Sequence, residues 1–281
     1  MNSGLSTVPI EVLPLFPVLD ELLLDLLRSL TPADWQRPTL ARQWTVKDVA
    51  AHLLDGNLRT LSMLRDGYAG EAPEDFSYAG LVAYLNRLNA DWVRAARRLS
   101  PAVLMELLAL SGAEYTAFLG TLDPWAPAAF SVAWAGEAES LNWFHLARDY
   151  TEKWHHQQQI REAVGQTDAL MTRQLFQPCI ETLLRGLPHA YRQTPAPAGT
   201  RVRISVSSDI GGAWELERQA QAWHLQPAGP AQPAASLTMG PEVAWKLFTK
   251  GLSPTEARQQ AQVAGEEALV APAFSLVAVM G

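Results

Sequence analysis

Asp149-Tyr-Thr-Glu-Lys-Trp-His-His-Gln-Gln-Gln-Ile-Arg161 is a polar passage set inside an otherwise apolar segment. Its flanks carry apolar residues at helical spacing: Ala138, Leu141 and Phe144 before it, Ile160, Ala163 and Val164 after it. Gly165 supplies a stop, so the pattern predicts one long helix over 139–164. At about 100° per residue, Glu152 and His156 fall one turn apart on one face, separated by about 6 Å of axial rise. A carboxylate and an imidazole placed this way can ligate one ion from a rigid backbone. His145 and Asp149 extend the stripe, which puts four ionisable groups where a core-facing surface is expected.

The 281 residues suffice for one large domain or two modest ones with a core of ordinary size. Hydrophobic residues make up 48% and charged residues 18%, the balance of a soluble globular protein. A net charge of −7 argues against a nucleic-acid partner, because phosphate binding needs a basic surface. The single cysteine, Cys179, excludes an intrachain disulfide and a thiolate metal cluster, and its apolar helical neighbours mark it as a buried small hydrophobe. The first nine residues contain no basic residue and lack signal-peptide architecture. The apolar run that follows is broken by Asp20, Glu21 and Asp25, so no membrane span and a cytoplasmic location are expected.

Along the chain, an amphipathic helix is predicted over 10–30. Thr45-Val-Lys-Asp48 has the form of a capping box and launches a second helix, 46–65, that Asp66-Gly67 ends. A third helix ends near Leu99, a fourth runs over 102–119 after Ser100-Pro101, and another covers 170–185 after the long one. Together these make a mainly α unit with helices long enough for a bundle, residues 1–187. Pro195-Ala-Pro-Ala-Gly199 reads as part of a linker, 188–199. Strict alternation in Arg201 to Ser207 predicts a half-buried strand, and further strands are expected at 213–217, 222–226, 235–239 and 274–279. Helices opened by Gly240-Pro241 and Ser253-Pro254 complete a small α+β domain, 200–281.

One ion needs a third ligand from another helix, and His52, lying among Val49, Ala50, Leu53 and Leu54, is the best placed candidate. The segment Thr45-Val-Lys-Asp-Val-Ala-Ala-His52-Leu-Leu-Asp-Gly-Asn57, preceded by Trp35 and Trp44, resembles the start of the mycothiol-dependent maleylpyruvate isomerase family, within the DinB-like metal-enzyme superfamily. Glu152-x-x-x-His156-Gln-x-Gln159-Ile160-Arg161 is similar to the second half of its metal motif. The resemblance implies an N-terminal DinB-like four-helix bundle with one divalent metal, followed by a small α+β domain. It assigns the ligands to His52, Glu152 and His156. It also implies that a low-molecular-weight thiol docks at the metal, zinc first and nickel second, and becomes thiolate for S-transfer to a small electrophile or for its isomerisation.

Two histidines and one glutamate leave coordination positions open, the arrangement of a catalytic zinc. With no cysteine in the motif, the sulfur has to come from a soluble thiol. Arg59, Arg148 and Arg161 are candidates for holding a carboxylate of thiol or substrate. Arg161, close to the ligand turn and matching the motif, is the expected catalytic residue. Asp149 and Asp55 are expected to support the ligands, His145 to be a core histidine, and His155 to lie on the surface or in a pocket. No HExxH, GxSxG, P-loop or dinucleotide fingerprint occurs. The rival reading is a non-catalytic metal- or small-molecule-binding protein that retains the bundle.

Overall fold

A computed structural model of the chain describes residues 8–75 and 77–279. Its helices follow the apolar periodicity: α1 spans Phe16–Ser29, α2 Val46–Thr60, α3 Tyr78–Ala96, α4 Pro101–Leu119 and α5 Asn142–Val164. Next come α6, Arg173–Leu184, and the short α7, Leu187–Ala190. Four strands follow: β1 is Arg201–Val206, β2 Gly212–Arg218, β3 Trp223–Pro227 and β4 Ala235–Met239. The chain then forms α8, Pro241–Phe248, α9, Pro254–Gln259, β5, Gln262–Gly265, and α10, Glu267–Phe274.

Two compact units divide these elements. One comprises Val12–Ala129 and Glu152–Leu170; the other comprises Phe130–Thr151 and Met171–Val279 with residues 8–11. The boundary between these two units falls within α5. Side-chain contacts in the second unit give the reason. The Tyr150 hydroxyl donates to the Leu175 carbonyl (2.8 Å), tying the first half of α5 to α6. After α7, the Tyr191 ring meets Trp223 of β3 at 5.2 Å, and the Trp223 indole N–H donates to the Thr194 carbonyl (3.1 Å). Proline content marked a connection in the chain; burial of aromatic residues across it decides which elements pack together.

In the helical unit, α2 packs against α3 and α4, and α4 against α1. Leu23, Leu26 and Leu27 of α1, Val49, Ala50, Leu53 and Leu54 of α2, Leu104 and Leu108 of α4 and Ile160 of α5 share one buried cluster. The start of α2 is fixed by a reciprocal cap. The Thr45 hydroxyl accepts from the Asp48 N–H (3.3 Å), and the Asp48 carboxylate accepts from the Thr45 N–H (3.1 Å). Arg97, capping the end of α3, reaches the same carboxylate through Nε (3.0 Å) and Nη2 (3.1 Å). This one acid thus sets where α2 begins and joins it to α3, and so fixes the height of His52 in the bundle. Beyond Thr60 the helix widens into a π turn, Leu61–Arg65, and Gly67, at φ +69°, provides the left-handed residue that releases the chain. By length and a mean hydropathy of 1.4, α4 is apolar enough to cross a membrane. In the bundle its Leu104, Leu108, Tyr115 and Leu119 are buried.

The mixed unit holds a five-stranded sheet in the order β3-β2-β1-β4-β5. β1 pairs antiparallel with β2 and parallel with β4. Alternation in β1 buries Val202, Ile204 and Val206. The strand expected at 274–279 is absent. Phe274 ends α10, and the residues after it run as irregular chain that buries Leu276, Ala278 and Val279, the Ala278 N–H donating to the Phe248 carbonyl (2.9 Å). The edge beside β4 is occupied by β5, a four-residue strand without apolar alternation, so the apolar tail has no place in the ladder.

Thr45→Ala should lower stability by about 1 kcal/mol through loss of the cap. Asp48→Ala should cost about 2 kcal/mol, because it leaves the N–H of the half-buried Thr45 without its acceptor as well as removing the tie to α3. Urea denaturation of both variants measures this; equal midpoints for both variants and the parent would show that the cap does not fix α2.

Candidate metal centre

The polar stretch that opens the sequence reading is buried nearly all round. His155, His156, Gln157, Gln158, Gln159 and Arg161 are each 9% exposed or less. Such burial needs a partner for each polar group, since an unmatched one costs about 1–3 kcal/mol. With its amide turned as its neighbours require, Gln157 donates to the Leu19 carbonyl and accepts from the Leu23 N–H and from Arg161, all at 3.0 Å. Arg161 Nη2 donates to the Leu22 carbonyl (2.8 Å) and Nη1 to the Gln166 carbonyl (3.3 Å). Lys153 pairs with Asp20 at 2.7 Å and lies over the Tyr115 ring at 4.7 Å. The polar residues of α5 thereby bind α1 by its backbone as much as by apolar contact.

Against this background three side chains converge. Ligand atoms of His52, Glu152 and His156 all lie within 4.8 Å of one another. His156 Nε2 stands 3.5 Å from Glu152 Oε2, one turn away on α5. From α2, the His52 ring comes edge-on to His156, with centroids 4.6 Å apart and planes at 76°. His52 Nδ1 is buried and has no hydrogen-bond partner. Trp44, just before the α2 cap, walls the pair, its ring 4.9 Å from His52 and 6.3 Å from His156. Among the described residues this is the one grouping of histidine, cysteine, aspartate or glutamate with the spacing to hold a metal ion. Two imidazoles and a carboxylate fit a divalent cation of borderline hardness.

The electrostatics suit cation binding. Burial first, and the field of His156 second, push His52 well below the usual histidine range; Glu152 acts the other way, and Arg59 and His155 add to the lowering. Burial would raise the Glu152 carboxyl, but the approach of His156 and the fields of His155, His156 and His52 outweigh it and hold it well below the usual carboxylate range. Glu152 is therefore an anion and His52 a neutral imidazole at neutral pH, the forms in which both bind a metal.

Of the remaining candidates, His145 lies where it was expected, and the others are placed differently. Arg161, the expected catalytic arginine, has its guanidinium on the carbonyls of Leu22 and Gln166, where it joins helices. Asp149 turns to Arg148 (2.9 Å) and faces His145 Nε2 at 3.6 Å. His145 is a core histidine, buried to 2% exposure, with Arg148 at its Nδ1 (2.8 Å). Asp55 is buried against Arg59 (2.8 Å), which also donates to Asn89 (3.0 Å). His155, expected on the surface or in a pocket, is buried, its ring 4.0 Å from that of His156. Gln159 is the residue the sequence left without a role. Its Oε1 lies 2.9 Å from His156 Nδ1, a contact the sequence signals only through its place in the Glu152-to-Arg161 motif, three positions after His156.

Residues 17–161 match the family described as the mycothiol maleylpyruvate isomerase N-terminal domain. No match was found among curated proteins. Two solved structures share the fold, each over 94% of this chain and 97% of its own, with a TM-score of 0.56. They are a mycothiol-dependent maleylpyruvate isomerase, at 14% identity, and a histidine-to-alanine mutant of the mycothiol-dependent maleylpyruvate isomerase, at 13%.

A half-buried, neutral His52 gives the metal-free protein a defined pH response. Unfolded, the ring takes up a proton below about pH 6.5; folded, it does so only at lower pH. The stability is thus complete above that value and is lost as pH falls, at up to about 1.4 kcal/mol per pH unit. Urea unfolding of the metal-free protein from about pH 7.5 to about pH 5.5 should show this loss, and His52→Gln should show a shallower one. Equal slopes for the two proteins would mean that His52 is not held neutral.

Proposed function

The chain belongs to the mycothiol maleylpyruvate isomerase N-terminal domain family, and on that premise we propose that its bundle is the metal centre of a thiol-dependent isomerase or S-transferase. The observation that carries this reading is the meeting of His52, Glu152 and His156 within 4.8 Å. A divalent ion held there, zinc before nickel, supplies a Lewis acid that lowers the proton affinity of a thiol ligand. As ligands the two imidazoles are neutral and the carboxylate carries one negative charge, so the occupied site keeps a net positive charge that favours an anionic sulfur. The chain supplies no sulfur of its own, since its one cysteine, Cys179, is fully buried within α6. The thiol is therefore a small soluble cosubstrate, and the names of the structural relatives make mycothiol the first to test, ahead of bacillithiol and glutathione.

The chemistry open to such a thiol is addition followed by elimination. The thiol gives up its proton and its sulfur bonds to one carbon of a conjugated C=C, whose π electrons move toward the carbonyl. The former double bond then rotates. The S–C bond breaks, the electron pair returns to restore C=C in the other geometry, and thiolate is released with no net redox change. In S-transfer the S–C bond is instead retained, and the carbon beside the carbonyl takes up a proton in place of the one the thiol gave up, so that thiol and acceptor combine without loss of atoms. The chain's own residues bind and orient: α5 fixes Glu152 and His156 relative to each other, the capped α2 fixes His52, and Trp44 screens the pair from water. The division of labour proposed for the chain is a bundle, 1–187, that holds the metal, and a C-terminal part, 200–281, joined by the segment 188–199. The reading carries with it a cytoplasmic location and small-molecule partners.

Purified protein should carry one divalent ion per chain, lost in His52→Ala and in His156→Ala. After cobalt substitution, adding thiol should produce sulfur-to-cobalt charge-transfer absorption in the near ultraviolet. A retained ion whose spectrum no thiol perturbs would favour the rival reading, a metal-binding protein without catalysis. Arg161→Lys should lower thermal stability by about 1–3 kcal/mol while leaving the thiol-induced spectrum unchanged; loss of that spectrum in a folded Arg161→Lys protein would restore the arginine to the site.

A further inference from the structure

His156 can serve as a ligand through Nε2 only if the proton of its neutral ring sits on Nδ1. Nothing in the triad enforces that. Glu152 Oε2, 3.5 Å from Nε2, would as readily accept an Nε2–H and so close the coordinating nitrogen. The other side of the ring decides the matter. Gln159, one turn on along α5 and 4% exposed, presents Oε1 to His156 Nδ1 at 2.9 Å. That is a full hydrogen bond, whereas the contact to Glu152 is at the outer limit. The neighbouring His155 ring, 4.0 Å away, and Trp44, 6.3 Å away, leave the His156 ring little room to turn over.

From this geometry we infer that Gln159 is a positioning residue that holds His156 as the Nδ1–H tautomer, keeping the Nε2 lone pair pointed at the space shared with Glu152 and His52. An amide suits this duty. It accepts the proton's hydrogen bond without adding a second negative charge behind the imidazole, so the donor set keeps the net charge derived above. The inference rests on the reading of the triad as a divalent-ion site, but the tautomer exists with or without the ion.

The test is the nitrogen-15 spectrum of His156 in the metal-free protein, at a pH where the ring is neutral, together with zinc titration. The parent protein should show a protonated Nδ1 and an unprotonated Nε2. Gln159→Leu should move proton population to Nε2 and weaken zinc binding by about 10- to 100-fold. Gln159→Glu, which keeps the acceptor, should retain the Nδ1–H form and bind zinc much more tightly than Gln159→Leu does. A parent ring carrying its proton on Nε2 overturns the inference, as does a Gln159→Leu protein with unchanged tautomer and affinity. Should Gln159→Leu fail to fold, the parent spectrum and Gln159→Glu still decide. Should none of the proteins bind zinc, the metal reading fails, while the tautomer separately upholds or overturns the role of Gln159.

Discussion

Polar groups taken out of water must find partners inside the protein, and the middle of α5 is where this chain meets that requirement most heavily. Three consecutive glutamines, two histidines and an arginine are buried there. Most of their hydrogen bonds go to backbone: Gln157 to α1, Arg161 to the Leu22 carbonyl, Gln158 to the Thr167 carbonyl. The helix is held by directional bonds, which fix its rotation and height more tightly than apolar packing alone would. A ligand pair on such a helix is presented in a defined direction, and that is the property a metal site needs.

The residue facing that pair, His52, is fixed by a separate device. His52 sits in the second turn of α2, whose first turn is set by the Thr45–Asp48 box and clamped by Arg97. Apolar neighbours on the same helix, Val49, Leu53 and Leu54, share a cluster with Ile160 of α5. The result is a neutral imidazole with an unused buried nitrogen, close to an ionised glutamate.

Much of this was readable from residues alone, for a definite reason. Helical spacing converts sequence separation into direction, so Glu152 and His156 one turn apart, and a histidine in an apolar register, already specify a plausible ligand set. Caps at Thr45 and Ser100 are local and equally visible. What escaped depends on neighbours distant in sequence. Whether Arg161 meets a ligand or a backbone carbonyl is decided by the path of α1, and whether Asp55 or Asp149 backs the ligands is decided by which arginine lies nearer. The residues after Phe274 are apolar enough for a strand, but β5, four residues with three exposed, takes the sheet edge without any alternation to announce it. Gln159 was legible as a motif position but not by its use, because a side-chain amide says nothing of its use until the ring beside it is in place.

X-ray absorption at the metal edge of the zinc-loaded, thiol-free protein tests the shared coordination point most directly. The account predicts a first shell of nitrogen and oxygen at about 2.0–2.1 Å, with outer-shell scattering from two imidazoles. A shell of oxygens without imidazole scattering, or sulfur at about 2.3 Å, would place the ion elsewhere and contradict the convergence of His52, Glu152 and His156 on it.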